Sequence, residues 1–300
     1  MPPSAADPPE TARVVTPALL RDWPLPPPGE DKGARGSVLV AGGAADTPGA
    51  ALLAGLAALR AGAGKLQLAV AAPVAPALAV AVPEALVRSL RHTASGSVRA
   101  GAVAELADLL EKADVVCVGP GLDDGDEATG LVAAIAEALP PSTRVVLDAY
   151  ALGALPARPE VAKALAGRLV VTPNTSEAGI LLEREAPGSD ETADAAREIA
   201  ARYGCVVALR SAVATPEGRL WVGGSGQAGL GTSGSGDVLA GIVAGLLARG
   251  AEPAQAAVWG AHLHATAGER LAARVGPLGY LARELLDETP KVLTELSVSY

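Results

Sequence analysis

Apolar residues gather along this chain in short Val- and Leu-rich runs at Ser37 to Ala41, Leu66 to Val70, Val115 to Val118, Arg144 to Leu147, Leu169 to Val171 and Val206 to Leu209. Alanine-rich stretches with helical spacing of apolar positions separate them. Runs with hardly a polar position inside them suit strands covered on both sides, and their alternation with helices is the mark of βαβ units. The pattern predicts an α/β fold with a central, mostly parallel sheet flanked by helices on both faces. The uncharged stretch Leu66 to Pro83 is interrupted by Pro73 and Pro76, so it reads as strand, turn and helix and not as a membrane span. Arg219 to Val222 reads as a late hairpin strand that leads into a glycine-rich loop. No internal repeat is visible.

The N-terminal part breaks this rhythm. Residues 1 to about 30 are rich in proline and end in Trp23-Pro24-Leu25-Pro26-Pro27-Pro28, which predicts an extended arm. Residues 1–13 read as a flexible segment and 14–296 as a single domain. Met1 to Glu10 has neither the basic region nor the apolar stretch of an export signal, so a cytoplasmic location is expected. A net charge of −9 argues against nucleic acid and anionic membrane as partners, since both call for a basic face. Small molecules are the expected ligands. Cys117 and Cys205 fall in apolar runs, as buried thiols do in a reduced protein, so neither a disulfide nor a metal pair is expected.

The candidate chemistry lies in Gly231-Thr232-Ser233-Gly234-Ser235-Gly236-Asp237. Seven of the fourteen residues from Gly223 to Gly236 are glycine, which lets backbone N–H groups approach one ligand closely. Val238, Leu239, Ile242, Val243, Leu246 and Leu247 then follow at helical spacing, so a helix N-terminus would face the same point. Asp237 stands beside that anion hole, where a carboxylate can take the proton of a hydroxyl that attacks phosphorus. The plainer reading is a glycine loop with an aspartate capping a helix. Other strand ends carry Gly42-Gly43, Gly119-Pro120-Gly121, Asp148 and Thr172-Pro173-Asn174-Thr175-Ser176-Glu177, at the edge where open α/β sheets bind ligands. Gly62-Ala63-Gly64-Lys65 lacks the glycine and hydroxyl of a Walker motif, because Leu59 and Leu66 stand at those positions. His262 and His264, two apart on a helix, face different ways and suit packing or surface roles. Arg60 reads as a surface pairing residue.

Lys32-Gly33 to Gly36, Gly42-Gly43, Pro48-Gly49-Ala50-Ala51, Leu59 to Gly64, Gly119-Pro120-Gly121, Thr172-Pro173-Asn174 and Gly234-Ser235-Gly236-Asp237 together resemble the ADP-dependent NAD(P)H-hydrate dehydratases, a family of ribokinase-like fold. The resemblance spans roughly residues 14 to 294. It implies repair of hydrated NADH and NADPH with ADP, or ATP, as co-substrate and Mg²⁺ as the accompanying cation. By the same resemblance Asp237 is the catalytic base and also contacts substrate, and Ala50, Gly121 and Asn174 bind the hydrated nicotinamide nucleotide. The adenine nucleotide falls to Gly234, Ser235, Gly236 and the segment Arg210, Ser211, Ala212, Val213, Ala214. No residue is assigned as a direct metal ligand. A homo-oligomer is implied, as is a separate hydrate epimerase acting on the same substrate.

Three departures from the family pattern stand out. Arg210, Ser211 and Ala214 replace the lysine, glycine and threonine of a commoner Lys-Gly-Ala-x-Thr segment, Tyr150 replaces an aspartate after Asp148, and Asn174 stands where many members have His-Pro-Gly. None touches Asp237. The alternative function is an ATP-dependent kinase of the same fold acting on a vitamin-precursor or sugar alcohol, since the same aspartate and anion hole serve plain phosphoryl transfer. A nucleotide-binding protein without turnover is the third reading.

Overall fold

The computed structural model describes residues 11–224 and 228–297; residues 1–10, with the expected flexible start, and residues 225–227, inside the glycine run, lie outside the described residues, as do 298–300. Ten strands among the described residues form one sheet: β1 (Arg13–Val14), β2 (Ser37–Ala41), β3 (Lys65–Ala71), β4 (Ala85–Leu90), β5 (Val115–Val118), β6 (Arg144–Leu147), β7 (Leu169–Val171), β8 (Val206–Leu209), β9 (Ala212–Ala214) and β10 (Leu220–Val222). Their spatial order is β1-β10-β9-β8-β7-β6-β5-β2-β3-β4, parallel from β8 to β4, with β9 antiparallel to both its neighbours. The helices are α1 (Pro17–Asp22), α2 (Pro48–Arg60), α3 (Ala75–Ala81), α4 (Ala107–Leu110), α5 (Gly125–Ala138) and α6 (Ala154–Ala157), then α7 (Pro159–Ala164), α8 (Thr175–Leu182), α9 (Thr192–Tyr203), α10 (Ser235–Ala248), α11 (Pro253–Arg274) and α12 (Ala282–Ser297).

Period-two geometry explains why the strand runs hold no polar positions. Along β2, Val38 and Val40 enter one core while Leu39 and Ala41 enter the other; along β5, Val115 and Cys117 oppose Val116 and Val118 in the same way. One face is covered by α1, α2, α3, α10, α11 and α12, the other by α4 to α9. Both cysteines are buried free thiols, as expected. Among the described residues no helix is long and apolar enough to cross a membrane.

The arm is more structured than its prolines suggest. Residues Pro17–Asp22 form a helix whose start is written in the sequence: Pro17 is the first helical residue, and the Thr16 hydroxyl caps the Leu19 N–H at 3.1 Å. Burial of Leu20 secures that short helix. The chain from Trp23 onward is irregular, as its prolines dictate, but it is tied down. Trp23 stacks on Trp221 with ring centroids 5.6 Å apart, and its carbonyl accepts the Trp259 indole N–H at 3.0 Å.

Candidate active site

The sheet reverses its strand order between β2 and β5. From β2 the chain passes through α2 on one face toward β3 and β4; from β5 it passes through α5 on the other face toward β6, β7 and β8. The two connections diverge and leave a crevice outside the carboxyl ends, the general ligand position in such sheets. Its floor is laced by main-chain bonds. The Gly43 N–H donates to the Pro120 carbonyl at 2.9 Å, while the Ala44 N–H and Thr47 hydroxyl donate to the Gly121 carbonyl at 2.7 and 2.8 Å. Gly121 has φ +74, and a Cβ there would lie 2.3 Å from the Thr47 carbonyl oxygen and 3.2 Å from the Ala50 Cβ. Ala50 and Gly121, assigned to one ligand by resemblance, are therefore neighbours across this crevice.

Asn174, at the end of β7, caps α8 with a reciprocal pair of bonds. Its side-chain oxygen accepts the Glu177 N–H at 2.9 Å, and the Glu177 carboxylate accepts the Asn174 N–H at 2.8 Å. The Asn174 side-chain oxygen is thus engaged, and the Asn174 side chain also hydrogen-bonds the Glu177 carboxylate. Between these loops β6 ends at Asp148, which is buried and accepts the Thr172 hydroxyl at 2.8 Å. Ala149 follows with φ 50, and Tyr150 stays 53% exposed.

Above the crevice lies the start of α10. Gly234, with φ +86, is its N-cap, and a Cβ there would come 2.6 Å from Leu53 of α2. The helix N-terminus is thereby set against the helix that carries Ala50. Sequence reading assigned the phosphoryl group to the amides of Gly234, Ser235 and Gly236; the structure turns the Ser235 N–H back onto the Thr232 carbonyl at 3.2 Å. The amides of Gly234, Gly236 and Asp237 donate to no described backbone carbonyl, so Asp237 supplies an open N–H as well as its carboxylate.

The Arg210 to Ala214 segment divides in two. Arg210 (φ 54) and Ser211 turn the chain between β8 and β9 at the same edge of the sheet, and the Ser211 carbonyl accepts the Gly223 N–H at 2.7 Å where the glycine loop begins. Ala212, Val213 and Ala214 are instead the buried strand β9, paired on both sides. Their side chains serve the core, so any nucleotide contact from this segment centres on the turn. Arg60 pairs with Asp287 on the surface at 2.9 Å, as expected.

Three carboxylates are electrostatically coupled here. Burial pushes the Asp148 carboxyl up to about 7, with the negative charges of Glu177 and Asp237 acting in the same direction against the Thr172 and Ala149 hydrogen bonds. Burial raises the Asp237 carboxyl to about 6, again helped by Glu177. Glu177 is itself raised by burial. Beneath them burial, Asp148 and Asp237 keep the Cys117 thiol well above its ordinary value, so it stays protonated. The sequence places Glu177 at this ligand edge without a role of its own, although the spacing Asn174-x-x-Glu177 is a capping-box signal. His264, expected in a packing or surface role, is buried, and its ring contacts Ser235 at the head of α10.

Asp148 and Asp237 both titrate higher in the folded chain than at the ordinary value of 3.8. The folded state then holds more protons, and the stability tied to these groups is fully present below that value. It is lost as pH rises through about 6 for Asp237 and about 7 for Asp148. The ligand-free protein is expected to melt lower above this window than within it, and Asp148→Asn is expected to flatten the slope. Scanning calorimetry across the window checks this, and an equal slope in wild type and variant would refute it.

A sequence model described as NAD(P)H-hydrate dehydratase matches residues 38–291. The ADP-dependent (S)-NAD(P)H-hydrate dehydratase of Xanthomonas campestris pv. campestris is 46% identical over 289 residues, 95% of this chain and 97% of the relative. The crystal structure of the ADP/ATP-dependent NAD(P)H-hydrate dehydratase from Bacillus subtilis, co-crystallised with ATP and Mg²⁺, superposes with a TM-score of 0.79 at 27% identity, covering 96% of this chain and 99% of that one. A ribokinase-like superfamily protein from Enterococcus faecalis superposes at 0.78 with 22% identity over 95% and 96% of the two chains, a likeness of fold. The fold is ribokinase-like, and the chain belongs to the NAD(P)H-hydrate dehydratase family.

Proposed function

We propose that this protein restores NADH and NADPH from their hydrated forms by ADP-dependent dehydration of (S)-NAD(P)H hydrate, releasing AMP and phosphate. The observation that carries the reading is the half-buried Asp237 carboxyl at the head of α10, beside the open amides of Gly236 and Asp237 and across from the Ala50 and Gly121 crevice. Hydroxide is a poor leaving group, so the added hydroxyl must be converted first. Asp237 takes its proton as the oxygen attacks the terminal phosphorus of ADP, and AMP departs with the electrons of the broken P–O bond. Phosphate then leaves from the ring carbon while the neighbouring carbon gives up a proton, restoring the double bond. The open amides at the helix N-terminus hold the charge that builds on the phosphoryl oxygens.

The residues present fit a divalent cation. The donors at the strand ends are carboxylate oxygens whose affinity for protons is raised by burial and, for Asp148 and Asp237, further by neighbouring negative charge, and a hard cation relieves that repulsion. Among the described residues no three acidic, His or Cys side chains form a metal cage, so Mg²⁺ would be shared with the nucleotide's phosphates. Asp148 and Glu177 are the residues that would hold it through its water. When bound it neutralises the diphosphate. On this reading the protein works in the cytoplasm as a homo-oligomer, while a separate epimerase interconverts the two hydrate epimers.

Purified protein given hydrated NADH or NADPH, ADP or ATP, and Mg²⁺ is expected to raise absorbance at 340 nm and to release phosphate in step. With ADP the other product is AMP. No rise with any pairing, or accumulation of a stable phosphorylated metabolite, would overturn the assignment.

A further inference from the structure

Ser235, first residue of α10, is 3% exposed, and its hydroxyl and carbonyl oxygens meet the same atom, Nε2 of His264, at 2.9 and 3.0 Å. A carbonyl oxygen only accepts, so the proton must be on Nε2. Burial holds the imidazole neutral, with its pKa pushed down to about 4, which leaves Nδ1 bare. One N–H is therefore shared between two oxygens of Ser235. The Ser235 hydroxyl accepts in this arrangement, and its own proton is left to donate elsewhere.

The framework around this contact is stiff. A Cβ on Gly260 of α11 would come 2.8 Å from Val243 of α10, and one on Gly268 would come 2.7 Å from Leu230, so α11 packs closely on both α10 and the glycine loop. The segment that His264 grips is the opposite. Gly234 and Gly236 flank Ser235, and glycine backbone is the most costly to hold in one conformation. Ser235 is the one residue of that triplet with a side chain to hold.

We propose that His264 is a positioning residue for phosphoryl transfer: through Ser235 it fixes the first turn of α10, aims the Gly236 amide and the Asp237 carboxylate, and frees the Ser235 hydroxyl proton to donate to the transferring phosphoryl group. The inference rests on the reading of Asp237 as the base of that transfer. It differs from simple core packing in one respect. A packing role needs only the volume of the imidazole, whereas this role needs an N–H at the position of Nε2.

The test compares His264→Leu, His264→Gln and Ser235→Ala in the full chain, with hydrated NADH, ADP and Mg²⁺ followed at 340 nm. His264→Leu is expected to lower kcat on the order of 10²-fold, the scale for misplacement of reacting groups, with KM for both substrates nearly unchanged. His264→Gln, which returns an N–H donor, recovers most of that loss. Ser235→Ala lowers kcat roughly tenfold, as loss of a hydrogen bond to a charged group does. Wild-type kcat in folded His264→Leu overturns the proposal; should that variant not fold, wild-type kcat in Ser235→Ala does so. A His264→Gln variant as slow as His264→Leu, at wild-type melting temperature, also overturns it. Nitrogen-15 spectra of labelled histidine read the same point without turnover: a proton on Nε2 supports the proposal and a bare Nε2 refutes it. A wild-type protein that leaves hydrated NADH unrepaired would defeat the functional reading itself, an outcome distinct from an active enzyme indifferent to His264.

Discussion

Asp237→Asn is expected to cut turnover of hydrated NADH on the order of 10³-fold while leaving ADP binding nearly intact. The substitution keeps the shape of the side chain and the open N–H of residue 237, so the anion hole persists. It removes only the group able to take the hydroxyl proton. Calorimetric titration with ADP beside the 340 nm assay separates the two effects, and a variant that keeps even a tenth of the wild-type rate would disprove a role as base. The same group sets the pH profile. Burial, reinforced by Glu177, places the Asp237 carboxyl at about 6, and only its ionised form accepts a proton. Wild-type kcat/KM should therefore rise with pH through about 6 and then level. Asp148 and Glu177 titrate in company with it, so the apparent value belongs to the coupled group. Because Asp237 is one of the charges that raise Asp148, the Asn variant should let Asp148 ionise at lower pH, visible in carbon-13 spectra of the carboxyls.

Much of this site is legible in the chain because strand ends and chemistry coincide. β2, β5, β6, β7 and β8 fall where the apolar runs stand, since each buries both faces and so carries no polar interruption. The residues that escaped are those whose role depends on partners distant in sequence. β4 mixes Arg88 and Ser89 with apolar positions because it is a sheet edge, so its run shows neither a continuous nor a cleanly alternating pattern. Ala212 to Ala214, grouped by resemblance with Arg210 and Ser211, do not read as a strand, because only pairing with β8 and β10 makes three such small residues one. Glu177 gains its importance from Asp148 and Asp237, which lie 29 and 60 positions away in the sequence. His264 meets Ser235 only because α11 folds back on α10, 29 positions apart. The glycines were legible as a kind and not as a role, and one of them shows why.

Gly241→Ala, a change that local helix preference favours, is expected to destabilise the protein and disturb the site. Gly241 lies in the interior of α10, where alanine gains about 1 kcal/mol over glycine in an exposed helix. Here a Cβ would come 2.1 Å from the Ala54 carbonyl oxygen and 2.7 Å from the Ala57 side chain, both on α2. Neither neighbour is the tip of a flexible side chain that can swing aside. One turn on, a Cβ at Gly245 would likewise approach the Ala58 carbonyl to 2.4 Å, so the two helices touch backbone to backbone along this line. Relief requires them to part, and overpacking of that kind costs roughly 3 kcal/mol, which exceeds the gain in propensity. The net loss of about 2 kcal/mol corresponds to a fall in melting temperature of roughly 4 to 8 °C. Separation also moves the two sides of the site relative to each other, since α2 carries Ala50 and α10 carries Asp237. The variant should therefore lose kcat/KM for the hydrate well below its melting temperature, and Ala54→Gly, which removes a neighbouring methyl and leaves the opposing carbonyl in place, should not restore it. Differential scanning calorimetry and the 340 nm assay on the folded variant decide the matter; a melting temperature at or above that of the wild type would show that helix propensity, and not the α2 contact, governs this position.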